Sequence, residues 1–371
     1  MTMVKTMDDL GSYAKEDVTF LLKDLSGADI EKSTLERERA IQNGVHYSEM
    51  LPVEYQPSEQ YIKLFHDSLE KNKKDIALYV ALAAEQIVHT RGLDIVLCSL
   101  ARAGTPIGVL MKKYIEFKYG VTVSHYSISI IRGSGIDENA LSFILDHHPE
   151  ETIVFVDGWT GKGAITKELT DSINRFNEKH GTDLSPELAV LADPGHCSNL
   201  YGTREDFLIP SACLNSTVSG LVSRTVLNDS LIGPDDFHGA KYYKELLPDD
   251  LSTFYVDTIS SEFKGISSRV ERALAKLRES HTDMNWEGLK SVRRIQEEFQ
   301  IEDINHIKPG VGETTRVLLR RVPWKILINT EKEHYLEHIL MLARDRGVPV
   351  EEYNDMSYSC CGLIKQMDDT K

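Results

Sequence analysis

The apolar run Ile153-Val-Phe-Val156 ends in a single carboxylate, Asp157, and then breaks into Gly158-Trp-Thr-Gly-Lys-Gly163. The run reads as a buried strand, and a Gly-rich turn at its carboxyl end lets backbone N–H groups converge on one anion. Lys162 adds a mobile cation, and the helix expected from Ile165 to Phe176 would point its positive N-terminal end at the same place. A turn of related grammar lies upstream: Asp94 to Ser99 reads as a strand, Leu100-Ala-Arg-Ala-Gly-Thr-Pro106 as a turn, and Ile107 to Tyr119 as an amphipathic helix. An Arg-x-Gly after a strand is by itself often only a tight connection. Two such loops, both at strand carboxyl ends, point together to phosphate chemistry.

A second chemistry open to the chain is that of a thiol, which needs a base and oxyanion donors around it. Cys197 directly follows His196, and Cys213 follows Pro210-Ser-Ala. Neighbouring side chains in sequence seldom face each other, so His238 or His46 is the expected partner of Cys197. Cys98 and Cys213 also fit small buried core groups. Cys360-Cys361 reads as packing or incidental redox sensitivity near an exposed tail. None of the five cysteines shows C-x-x-C spacing, so no metal is expected on direct cysteine or histidine ligands.

The elements that must carry these groups fall into four stretches. Residues 1–88 read as mainly helical, a possible hood; 89–258 alternate strands and helices; 259–300 are connecting helices; 301–371 form a small separate unit. Strands are expected at 94–99, 121–131, 152–157 and 188–192, with a shorter one near Phe207-Leu-Ile209, giving a largely parallel sheet with helices on both faces. Phe263, Ile266, Val270, Ala273, Leu274 and Leu277 recur at helical spacing, and a further helix runs from Trp286 to Phe299. The tail reads as a helix at Thr314–Arg321, a strand at Trp324–Asn329, a helix at Glu331–Arg346 and an extended end at Val348–Val350.

Neither a P-loop nor a dinucleotide fingerprint fits the first turn: Gly163 stands where a P-loop has Ser or Thr, and Gly158, Gly161 and Gly163 are not spaced as G-x-G-x-x-G. It resembles instead the motif of type I phosphoribosyltransferases, with Gly158 in place of the usual second acidic residue and a shorter spacer before Thr160. The resemblance implies a type I phosphoribosyltransferase-like α/β fold and Mg2+-dependent transfer from phosphoribosyl pyrophosphate to a base-like acceptor. Asp157 would hold the ribose. The 5′-phosphate would sit on Gly158, Thr160, Gly161, Lys162 and Gly163, and the pyrophosphate on Ser99, Ala101, Arg102, Ala103, Gly104 and Thr105. Asp157, Arg102 and Lys162 would carry catalysis. His46-Tyr47, His125-Tyr126 and Asn215 to Arg224 are the acceptor candidates, and Arg132-Gly-Ser-Gly135 the expected closing loop.

Ile307-Lys-Pro-Gly-Val-Gly-Glu-Thr-Thr-Arg316 resembles the glycine-rich start of the RNA-contacting helix in Pelota-type domains. That resemblance implies contacts to structured RNA from Lys308, Gly310, Gly312, Glu313, Thr314, Arg316, Arg320 and Arg321; a plain turn followed by a solvated helix face is the alternative. The two resemblances in this order are similar to a bacterial family of tellurium-resistance and stress gene clusters, which has also been labelled a StiP-type cysteine protease. That label implies Cys197 or Cys213 as nucleophile. A non-catalytic, nucleotide-sensing RNA-binding regulator is the third reading.

Composition narrows these choices. The 371 residues suffice for two or three domains with sizeable cores. Apolar runs fall short of the roughly 20 residues of a membrane helix, and Met1–Asp9 is polar, unlike a signal peptide. A cytoplasmic protein with no membrane partner is expected, with oligomerisation left open. The net charge of −16 excludes a generally basic nucleic-acid coat but not a local basic face.

Overall fold

The computed structural model describes residues 10–54, 56–279 and 283–364; the side chains of residues 34, 35, 38, 42, 320, 333 and 334 lie outside the description, as do the N-terminal residues read against a signal peptide. Six strands form a parallel sheet in the order β1 (Thr19–Phe20), β3 (Ser124–Ile131), β2 (Ile95–Ala101), β5 (Thr152–Trp159), β6 (Leu188–Ala192), β7 (Leu200–Thr203). A short β4 (Gly135–Ile136) pairs antiparallel with β3. The central strands are apolar along nearly their whole length because helices cover both faces. On one side lie α1 (Glu59–Arg91) and α2 (Thr105–Tyr119), on the other α3 (Glu138–His147) and α4 (Ala164–His180).

The chain leaves β2 towards β3 on one side and returns to β5 on the other. That reversal opens a crevice between the carboxyl ends of β2 and β5, where open α/β sheets take their ligands. Gly104 is needed there for close approach: a Cβ would stand 2.4 Å from the Val156 carbonyl oxygen.

Three expectations need correcting. The stretch near Phe207–Ile209 is loop, and the edge strand is Leu200–Thr203, whose Gly202 packs so closely on α1 that a Cβ would lie 2.3 Å from the Tyr79 carbonyl oxygen. Residues 132–135 form a tight turn between β3 and β4 rather than a closing loop, held by Arg132 N–H donating to the Tyr47 hydroxyl (3.1 Å) and Gly133 N–H to Glu168 (2.7 Å). The helix expected at Glu331–Arg346 breaks into a 3-10 turn over Thr330–Tyr335 and a shorter helix over Glu337–Asp345.

After α5 (Ser252–Ser260), α6 (Phe263–Glu279) and α7 (Glu287–Glu298), the chain builds a second sheet in the order β8 (Ile307–Pro309), β11 (Cys360–Ile364), β9 (Pro323–Ile328), β10 (Val350–Glu352). Two helices, α8 (Val311–Arg320) and α9 (Glu337–Asp345), complete it. Cys360 and Cys361 are fully buried in its central strand β11, not on an exposed tail. One apolar cluster joins the units, running through Leu208, Ala212 and Leu214 of the first to Val311, Leu318 and Leu336 of the second.

Candidate functional site

A cleft of about 300 Å³ lies between the two units, lined by Ala103, Arg132, Asp157 and the Thr160–Thr166 segment from one and by Ile307–Pro309, Glu313 and Arg316 from the other. A pocket of about 290 Å³ adjoins it across Asp157 and Trp159, reaching Arg102, Asn215 and Ser219. The structure thus brings Arg102, Ala103, Asp157, Gly161, Lys162 and Gly163 together with Lys308, Glu313 and Arg316. Ser99 and Thr105 are turned away: the Ser99 hydroxyl lies 2.8 Å from His125 Nε2, and that of Thr105 2.7 Å from Ser127, both beneath the loop. His125 is accordingly a core group, pushed down to about pH 4 by burial, and Tyr126 bonds His148. His46-Tyr47 and Arg224 do meet, with Arg224 donating to the Tyr47 carbonyl at 2.7 Å.

Each cleft residue has its own electrostatic setting. Among the described residues Asp157 accepts only the Gly158 N–H (2.7 Å), and burial pushes its carboxyl up to about 7. Lys162 donates to the Ile304 carbonyl (2.8 Å) and to Asn305 (3.3 Å); burial, then the charges of Lys308 and Arg132, lower it to about 8. Arg102 donates to the Val222 carbonyl at 3.1 Å, with Glu54 3.8 Å away. Thr160 instead donates its hydroxyl to Asp193, which also accepts the Cys197 and Ser198 N–H groups and pairs with Arg204. Asp193 is a functional-looking buried acid that the sequence reading missed; a lone Asp at the end of the apolar run Leu188–Ala192 was its only signal.

The glycine-rich start of α8 faces inward rather than to solvent. Gly310 lies against Asp206, and Gly312 against Ala212 and Trp159. Asp206 caps α8 from the other unit, accepting Val311 N–H at 2.9 Å and Ser359 N–H at 2.8 Å, and burial raises its carboxyl to about 6. Arg316 donates to the Ala212 carbonyl (3.2 Å), pairs with Glu313 (3.1 Å) and lies over Trp159. Thr314 is buried and bonded to the Lys308 carbonyl (3.3 Å), whereas Arg321 is exposed. Arg320 ends α8, and its side chain lies outside the described residues.

All five thiols are buried. Cys98 sits in mid-strand, and Cys213 lies within the apolar cluster. Cys197 lies just beneath the cleft floor: its Sγ is 3.9 Å from the Gly161 carbonyl and 3.2 Å from that of Gly195, and a Cβ on Gly163 would stand 2.8 Å from it. The C-terminal unit closes this corner. Tyr358 donates to the Gly161 carbonyl at 3.2 Å, and the Trp286 indole occupies the space a Cβ on Gly163 would need, at 2.3 Å. Burial, then the Asp193 charge, pushes the Cys197 thiol up to about 12. The expected histidine partners lie elsewhere: His238 bonds Ser129 (2.9 Å) and His46 bonds Ser48 (2.7 Å). His196, lowered to about 4 by burial, keeps a buried Nδ1 without a partner among the described residues.

Residues 11–260 match the family described as tellurite-like stress resistance cysteine protease StiP, and residues 286–366 match the Pelota RNA-binding domain. The chain is also similar to the cysteine protease StiP of Acinetobacter baylyi (strain ATCC 33305 / BD413 / ADP1), 35% identical over 96% of this chain and 94% of the relative. The chain belongs to the StiP family. Membership overturns the phosphoribosyltransferase expected from Asp157 and the Thr160–Gly163 turn, because the matched StiP family and the curated relative are both named for cysteine protease chemistry. Among the described residues, no helix of this StiP-family chain is long and apolar enough to cross a membrane.

Proposed function

We propose that the chain is a cysteine hydrolase acting on peptide bonds in tellurite or stress resistance, brought to structured RNA by its C-terminal domain. The observation that carries this reading is the placement of Cys197 beneath the Gly161–Gly163 floor of the cleft, in a chain that belongs to the StiP family. Cys197 is the nucleophile, and the adjacent His196, whose buried Nδ1 has no partner among the described residues, is the base once opening of the corner turns the two side chains towards each other. The backbone N–H groups of the 161–163 turn are the oxyanion donors.

In this closed arrangement the thiol is at rest. With a thiol held near 12, on the order of one molecule in 10⁵ carries a thiolate at pH 7. Reaction therefore requires Trp286 and Tyr358 to withdraw, which makes hydrolysis answer to the position of the RNA-binding domain. Digestion of fluorescent casein by the full chain is the test, run for wild type, Cys197→Ser and Cys213→Ser. Loss of at least a hundredfold in Cys197→Ser with retention in Cys213→Ser is expected on the order of nucleophile removal. Retained cleavage in Cys197→Ser sinks the assignment. Iodoacetamide labelling of Cys197 in the resting protein should be slow at pH 7 and should rise steadily towards pH 10, following the thiolate.

A further inference from the structure

We propose that the RNA-binding surface does not stop at the C-terminal domain but continues across the interdomain cleft, where Arg132 and Lys162 of the first unit join Lys308 of the second to seat a phosphate of the RNA backbone. The inference rests on the reading of the C-terminal domain as RNA-binding. Three observations carry it.

The three cations come from three elements, the 132–135 turn, the turn before α4, and β8, yet all line one cleft of about 300 Å³. None is in a close ion pair: no carboxylate lies within 4.0 Å of any of them among the described residues, although Asp303 favours the charge on Lys162, and Glu313 and Asp303 that on Lys308. Arg132 is exposed with its guanidinium 5.8 Å from the Tyr47 ring, and Lys162 contacts only neutral oxygens. In a chain of net charge −16, three cations gathered without a close ion pair are a local concentration of positive charge. The two acids that share the cleft do little to cancel it. Glu313 is engaged by Arg316 at 3.1 Å, and burial leaves Asp157 partly protonated near neutral pH.

The cations lie close enough to repel one another. Burial and then the neighbouring cations lower Lys162, and burial lowers Lys308 despite Glu313. Cations gathered at such a cost are relieved by an anion between them. The docking of the glycine-rich start of α8 supplies the third observation. Gly310 and Gly312 pack on Asp206, Ala212 and Trp159, so within this stretch it is Lys308, Glu313 and Arg316 that line the shared cleft. Phosphate contacts position a nucleic acid without reading its sequence, which suits cations from a unit not built to recognise bases.

The experiment is fluorescence anisotropy of the full-length protein with a fluorescein-labelled RNA hairpin carrying an asymmetric internal loop, over a salt series. It compares wild type, Arg132→Gln, Lys162→Gln and Lys308→Gln, with circular dichroism melts to confirm folding. Arg132 is exposed, so its variant keeps the test open should Lys162→Gln loosen the domain contact. Each variant is expected to weaken binding about three- to tenfold and to flatten the log–log salt slope by about one unit. Wild-type affinity and slope in both Arg132→Gln and Lys162→Gln, with a loss in Lys308→Gln, overturn the inference while leaving the C-terminal domain an RNA binder. No RNA binding by the wild type defeats the reading beneath it. Calorimetry with inorganic phosphate separates the sources: binding abolished by Arg132→Gln, with RNA affinity untouched, assigns the cleft to a free phosphate ligand and overturns the RNA assignment.

Discussion

Asp157 carries the sharpest residue-scale consequence. Its ordinary carboxyl value is 3.8, and burial holds it near 7 in the folded protein. Below pH 4 the folded and unfolded states are both protonated there and the residue costs nothing. Between pH 4 and 7 the unfolded state ionises first, so folding is progressively penalised, and above pH 7 the penalty is complete. Asp157→Asn should therefore stabilise the fold at pH 8 by on the order of 2 kcal/mol given the half-buried position, seen as a higher melting temperature, and the gain should vanish near pH 4. Thermal melts of the two proteins across that range check it, and an equal effect at both ends contradicts the burial argument. The carboxylate itself was plain in the sequence because it ended an apolar run. Its raised pKa was not, since that depends on how much water the folded chain excludes from it.

Among the elements, the turn from Gly161 to Gly163 separates two uses of glycine. Gly163 has φ +81°, and a Cβ there would strike the Trp286 indole at 2.3 Å, whereas Gly161 meets nothing within 4 Å. Gly163→Ala is expected to cost about 2–4 kcal/mol through left-handed strain and displacement of Trp286, with Gly161→Ala within about 1 kcal/mol of wild type. Urea unfolding of both variants distinguishes them; similar costs would contradict the proposed packing. If Trp286 shields Cys197, Gly163→Ala should also hasten its alkylation. The strands at 152–159 and 188–192 were legible from continuous apolar runs, and α6 from its helical spacing. β7 and β8 were not, because Leu-Tyr-Gly-Thr and Ile-Lys-Pro are too short to show a period. β11 was hidden because Cys-Cys-Gly reads locally as turn and tail, and only its place between β8 and β9 makes it a central strand.

For the whole molecule, the question is what couples the two units. Asp206 reaches from the first to accept two backbone N–H groups of the second, at the start of α8 and just before β11. Asp206→Ala leaves both donors buried without an acceptor, at about 1–3 kcal/mol for each. Hydrogen exchange should then show residues 307–364 losing protection before β2, β5 and β6. Uniform loss across both sheets would mean that the units unfold only together, through the apolar cluster they share. The same coupling places Trp286 and Tyr358 over Cys197, so binding at the C-terminal domain has a direct physical route to the proposed nucleophile.

Sequence alone determined the alternation of strands and helices, the two Gly-rich turns at strand carboxyl ends and the change of pattern that marks a separate tail, because each is written in local periodicity and turn chemistry. The pattern of 157–163 also led to the wrong reaction, since an anion-binding turn is a backbone property shared by many chemistries. Tertiary structure decided the rest. It turned Ser99 and Thr105 into the core, set Cys197 rather than Cys213 under the cleft, and pointed the glycines of α8 at Asp206 and Trp159 instead of at water. These outcomes depend on contacts between residues far apart in the chain, and no local spacing encodes which surfaces will meet when two units share one apolar core.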